Sequence, residues 1–321
     1  MKAKGVLFTA LSALLYGVAP VLSAKTYQMG SNALTLTFYR ELMVLPLLLA
    51  VLWRRRTPMR VTRRQLAVLA AVGLFCRGAT TLMLNIAYNF VGVGTATTLH
   101  FMYPVFVAVI CRCCFRERLG RARMAALAMA CAGVVLFLEL GQGGGSVAAG
   151  VALSITSGVT YACFMVAMDK TFLRQMDPFL VIFYTAGVVA AGMFCINLPL
   201  GQIVFALPPR AMVYTFLVAV ASSFFAVILL QAGVRYLSAT TAAVFSLLEP
   251  VSCAAAGAIW LGESFTLQKL LGSAVILAAA GLLACAKPEV SPDSREALDL
   301  MMSAEGFPNR PEEEKQELSK R

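Results

Sequence analysis

Ten apolar runs alternate with short polar breaks along the first 286 residues: about 5–24, 33–53, 66–88, 93–114, 121–140, 147–168, 179–200, 210–232, 238–261 and 267–286. Each approaches the roughly 20 residues that a helix needs to cross a hydrocarbon core about 30 Å thick. In lipid, backbone polar groups must be paired within their own segment, so these runs predict helices. A membrane β-barrel would instead show ten-residue segments of alternating polarity. The breaks are short, which makes consecutive helices antiparallel neighbours. The pattern predicts an all-α polytopic membrane protein with ten transmembrane helices.

The first run has a second reading. Lys2 and Lys4 precede it, and Leu22-Ser23-Ala24 closes it in the manner of a signal-peptide cleavage site. A secretory apolar segment is usually shorter, and this run has an internal copy, so a retained helix is expected.

Composition supports the membrane class. Apolar residues make up 60% of the chain and charged residues 13%, about half the ~25% usual in soluble domains. Nine Cys, mostly within apolar runs, do not form the framework of a secreted disulfide scaffold. Cys111, Cys113 and Cys114 cluster at one break, but no second ligand group stands at a spacing that would complete a zinc site. Free thiols are expected, with no metal and no cofactor.

The formal net charge of +11 would point to nucleic acid on a soluble domain. Here the basic residues follow the breaks. With the N-terminus inside, one face collects Lys2, Lys4, six Arg between 54 and 64, five Arg between 112 and 123, Lys170, Arg174 and Arg235, sixteen in all. The other face receives three: Lys25, Arg210 and Lys269. Positive charge concentrates on the cytoplasmic side, so both termini are expected in the cytoplasm, with the chain in the inner (plasma) membrane. Nucleic acid is not an expected partner. Residues 287–321, with six basic and nine acidic residues, read as a disordered cytoplasmic tail.

The chain repeats itself. Under a shift of 145, Gly5 meets Gly150, Ser12 meets Ser157, Tyr16 meets Tyr161, Lys25-Thr26 meets Lys170-Thr171, and Phe38-Tyr39 meets Phe183-Tyr184. After a one-residue slip, Asn85 meets Gln231, Thr95 meets Thr241, Pro104 meets Pro250, and Glu117 meets Glu263. Two copies follow, 1–146 and 147–286. Each holds five helices, an odd number, so the second crosses in the opposite sense. Two inverted five-helix repeats can exchange conformations around a site between them, which is the working principle of many secondary transporters.

These residues also carry a family resemblance. Phe38-Tyr39-Arg40, Tyr103-Pro104 with Glu117, Leu248-Glu249-Pro250, Trp260-Leu261-Gly262-Glu263 and Leu271-Gly272-Ser273-Ala274 together resemble the EamA-type transporters of the drug/metabolite transporter superfamily. The resemblance implies export of a metabolite, amino acid or drug through a central cavity lined mainly by helices 1, 3, 4, 6, 8 and 9. It makes the second helix peripheral, so Arg40 is expected to be structural.

Intramembrane ionisable groups cost about 2.5–3.5 kcal/mol each on insertion scales and mark candidate sites. Arg77, Thr81, Asn85 and Tyr88 fall on one face of the third helix. The Arg77 fork of donors suits a carboxylate or phosphate, although backbone carbonyls or Glu249 could satisfy it instead. His100, the only His, precedes Tyr103 and Pro104 by one turn and titrates near physiological pH. Glu249, the repeat mate of Tyr103, stands before Pro250, whose missing N–H bends the helix, and could carry a proton. The mates Asn85 and Gln231, and Tyr16 and Tyr161, are expected across the cavity from one another. Arg40 and Glu41 point about 100° apart on a helix, so each is expected to find its own partner.

The predicted function is a secondary transporter that moves a small polar metabolite, amino acid-like or an organic anion, by alternating access, in the direction of export. A drug/proton antiporter is the alternative. An intramembrane enzyme lacks a nucleophile–base pair or ligand cluster in the sequence, and no nucleotide-binding loop is present. The expected partners are the small-molecule substrate and the lipid bilayer, with a second copy of the chain as a candidate.

Overall fold

The computed structural model describes residues 2–117, 120–136, 146–261 and 266–285. The tail from 287, Glu263 and the end of the fifth run at 137–140 lie outside the described residues. All the regular structure described is helical. Eight segments are long and apolar enough to cross a membrane: α1 Ala3–Gln28, α2 Ala33–Arg54, α3 Arg63–Val91, α4 Thr95–Phe115, α6 Val147–Lys170, α7 Pro178–Leu200, α8 Pro209–Tyr236 and α9 Ala239–Trp260. Two shorter helices complete the described set, α5 Arg121–Val135 and α10 Leu267–Cys285.

Local chemistry sets the starts. Asn32 accepts from Thr35 N at 2.8 Å, and Thr62 with Gln65 forms a reciprocal capping box. Asp177 caps α7 with Pro178 at its first position. Each of these supplies an acceptor to N–H groups that the first helical turn leaves unpaired. α7 ends at Gly201 in the left-handed conformation, φ +59°, where the absent Cβ removes the steric penalty.

Two helices break in their middles. Phe101 and Met102 form a turn before Tyr103-Pro104, and Leu247 forms one before Leu248-Glu249-Pro250. Proline has no N–H to give to the preceding turn, so the helical ladder restarts there in both copies.

α1 packs on α8 and α9, α2 on α7, α5 on α10, and α6 along the stretch 79–100 that joins α3 to α4. Sidedness is visible within a few residues. Phe75 is 67% exposed while Arg77 is 6% exposed, so the apolar side chain faces outward and the cation inward. Leu7, Leu198, Val213, Ile259 and Leu277 are likewise exposed, as suits a surface solvated by lipid.

Candidate functional site

Regular α-helical winding gives way to π-helical winding at Val72–Gly78 in α3 and Ala219–Ala226 in α8. Such bulges often accompany functional sites. Under the shift of 146 they overlap, with Arg77 on Ser223. Both residues donate to one carboxylate, Glu41. Arg77 Nη2 lies 3.0 Å from Oε1 and 2.8 Å from Oε2, and Ser223 Oγ donates to Oε1 at 2.8 Å. Arg40 Nε adds a third bond to Oε1 at 3.3 Å. Arg77 Nη1 donates to Thr185 Oγ1 at 3.3 Å, and Thr185 is the repeat mate of Arg40. Glu41 is buried to 1% exposure, where a carboxylate must be paired to be tolerated.

Two sequence expectations are corrected here. Arg40 and Glu41 do touch, because three methylenes let the Arg40 guanidinium fold back along its own helix to the adjacent carboxylate. Arg77 is paired with Glu41, not Glu249, because the π-helical winding turns it toward α2.

Beside this cluster lies a cavity of about 120 Å³. Its wall includes Tyr16, Pro20 and Ser23 of α1, Arg40 of α2, Arg77, Asn85 and Tyr88 of α3, His100 of α4, Tyr161 of α6, Ser222 of α8 and Glu249 of α9. Six of the sequence-selected residues (Tyr16, Arg77, Asn85, His100, Tyr161 and Glu249) are thus brought together. Tyr103 and Gln231 are buried and do not line the cavity. Arg40 stands in the wall although it was expected to be structural. Sequence reasoning set it aside because helix 2 is peripheral by resemblance, yet the adjacency of Arg40 to Glu41 was the available signal.

The wall is held from behind. Tyr27 Oη donates to Asn85 Oδ1 at 2.9 Å, and the mates Tyr16 and Tyr161 stand in the same wall. His100 Nδ1 lies 2.9 Å from Ser157 Oγ. Ser157 gives its own proton to Ser154 O at 2.6 Å, so Nδ1 is the donor and Nε2 carries a lone pair. Tyr161 and Tyr103 stack edge to face with ring centroids 4.8 Å apart. Among the described residues the Glu249 carboxylate forms no ion pair. Its backbone approaches α1 at Gly17, where a Cβ would fall 2.7 Å from Glu249 O. No group of three or more His, Cys, Asp or Glu among the described residues could hold a metal ion.

The sequence has a family counterpart. The model of the EamA-like transporter family matches residues 3–139 and 148–285. The chain belongs to that family. This EamA-like transporter is 26% identical over 186 residues to an uncharacterized transporter of Archaeoglobus fulgidus, a match that covers 58% of the chain and 65% of that relative. It is 25% identical over 289 residues to the uncharacterized transporter YcbK of Bacillus subtilis, covering 84% of the chain and 89% of YcbK. A solved crystal structure superposes with a TM-score of 0.74 at 15% identity, covering 87% of the chain and 96% of its counterpart, which establishes likeness of fold. The EamA-like transporter is a multi-pass membrane protein, and its family and relatives are named as transporters, not enzymes.

Proposed function

We propose that this EamA-like transporter is a secondary transporter that exports a small zwitterionic metabolite, amino acid-like, across the inner membrane by alternating access. Ten transmembrane helices in two inverted five-helix repeats, 1–146 and 147–286, with both termini cytoplasmic, form its frame. α5 and α10 complete the two copies. The observation that carries the reading is the charge pattern of the cavity wall. Arg40 and Arg77 share one carboxylate, Glu41, which leaves cationic character in the wall, and Glu249 stands in the same wall without an ion pair among the described residues. A guanidinium fork receives a carboxylate, and a free carboxyl receives an ammonium group.

Size favours a metabolite over a drug. Pockets for drug-sized ligands run to about 300–1,000 Å³, whereas this cavity holds about 120 Å³. An organic anion remains a second reading when Glu249 is protonated, because the Arg pair then dominates. The cavity wall draws on six of the eight candidate residues selected from the sequence, and the buried Tyr103 and Gln231 are candidates for contact in another conformation.

The test is exchange in proteoliposomes loaded with a panel of labelled amino acids and organic anions. Exchange restricted to small zwitterions, lost in Arg77→Ala, supports the proposal. Exchange that prefers bulky apolar cations would replace it with the drug/proton antiporter reading.

A further inference from the structure

Three polar atoms are buried without a hydrogen-bond partner among the described residues: Tyr103 Oη, Gln231 Nε2 and Thr240 Oγ1. Ser246 lies beside Tyr103 and the Cys111 thiol beside Thr240, and Ser246 gives its proton to Ala242 O at 3.0 Å. A buried polar group left unpaired is costly and calls for a physical reason. The three belong to α4, α8 and α9, which also wall the cavity. Along antiparallel helices Gln231 and Thr240 stand nearer the Arg-rich end, and the cavity residues Ser23, Arg40, Asn85 and Tyr88 stand nearer the opposite end.

At the Arg-rich end one carboxylate ties the helix ends together. Asp169, at 4% exposure, accepts from Arg174 Nη1 at 3.0 Å and from the Ala239 backbone N–H at 3.1 Å. Lys170 Nζ lies 3.2 Å from Asp169 Oδ2 and 3.1 Å from Glu117 Oε2, just past α4. Arg174 Nη2 donates to Arg235 O at the end of α8, 3.1 Å away. The ends of α4, α6, α8 and α9 are thereby fastened to one another. Under the shift of 145, Asp169 corresponds to Ala24, so its repeat mate is not a carboxylate.

We propose that Asp169 latches the Arg-rich end of the transport route shut, and that Tyr103, Gln231 and Thr240 wall its closed half. The inference rests on the transporter reading above and deepens it. Release of the latch gives the three groups water or solute as partners, so a small zwitterion passes from the Arg77–Glu249 cavity to a neutral segment of hydroxyls and an amide. The lack of an acid at Ala24 biases the resting protein toward opening at the opposite end, in line with where the cavity lies.

Thiol accessibility of the full-length protein in membrane vesicles tests this. Thr240→Cys is placed in a background with the native cysteines replaced, and a membrane-impermeant maleimide is applied from each face. With the latch intact, labelling is slow from both faces. Asp169→Asn, and separately Arg174→Gln, shifts the population toward the open form and raises the rate at least about threefold, from the Arg-rich face alone. Arg174 is half exposed, so its substitution keeps the fold if Asp169→Asn does not. An unchanged rate in folded Arg174→Gln, or fast labelling with the latch intact, overturns the proposal. Labelling reads conformation, not flux. Faster labelling without solute exchange would therefore sink the transporter reading and keep the latch, and normal exchange with unchanged labelling would do the reverse.

Discussion

Glu41 is the residue on which the polar interior depends, since Arg40, Arg77 and Ser223 all donate to it. Removing one member of a buried pair strands the other charge at a cost of about 3–5 kcal/mol. Glu41→Ala is therefore expected to lower the melting temperature in detergent far more than Arg40→Ala, whose guanidinium is partly exposed. Equal losses in the two variants would show that Glu41 is not the hub. Arg77→Lys keeps the charge and forfeits the fork, so weaker solute affinity in a folded protein is expected. Glu249→Gln keeps shape and removes titration. If Glu249 couples transport to protons, this variant loses its response to an imposed pH gradient while solute exchange persists. A wild type indifferent to pH gradients would leave Glu249 as a binding group only.

Helices were legible wherever apolar length alone decides, and irregular winding was not. The runs at 5–24 and 179–200 correspond to α1 and α7 within a few residues, because twenty apolar residues leave few alternatives in lipid. Nothing in Val72–Gly78 or Ala219–Ala226 announces a π-helix, since the extra residue per turn is stabilised by tertiary bonds to Glu41, which lies some 36 and 182 positions away. Arg77 lies within one of these bulges, where a periodic reading at 3.6 residues misplaces the direction of a side chain. Tyr16, Asn85, His100, Tyr161 and Glu249 were legible as cavity candidates because polarity inside an apolar run has few explanations. Close helix contact was hidden as well. At Gly17 a Cβ would lie 2.8 Å from Cys253 N as well as against the Glu249 carbonyl, so Gly17→Ala must push α1 off α9. A loss of about 1–3 kcal/mol in stability, with impaired solute exchange, is the expected outcome. Wild-type behaviour in that variant would mean the α1–α9 approach is looser than described.

At the scale of the whole molecule, the proposed frame has an odd number of helices per copy, which would invert the repeats, and the bias of sixteen basic residues to three is the basis for the proposed orientation. A reporter fused after residue 286 is expected to signal from the cytoplasm, and a periplasmic signal would remove the inversion on which alternating access rests. The two copies are similar without being equal. Arg77 faces Ser223 in the alignment, Arg40 faces Thr185, and Asp169 faces Ala24, so charge lies mostly on one side of each symmetric pair. That asymmetry leaves a cavity wall with guanidinium groups and a carboxyl group that forms no ion pair among the described residues, which is the basis for proposing a small zwitterion as the solute. The most direct measurement is counterflow of labelled small amino acids in proteoliposomes containing the wild type, Arg77→Lys and Glu249→Gln. The account predicts accumulation of a zwitterionic solute by the wild type, with affinity weakened in Arg77→Lys and zwitterion preference lost in Glu249→Gln. Counterflow that is equal in all three proteins, or absent for every amino acid while another solute class is carried, would contradict it.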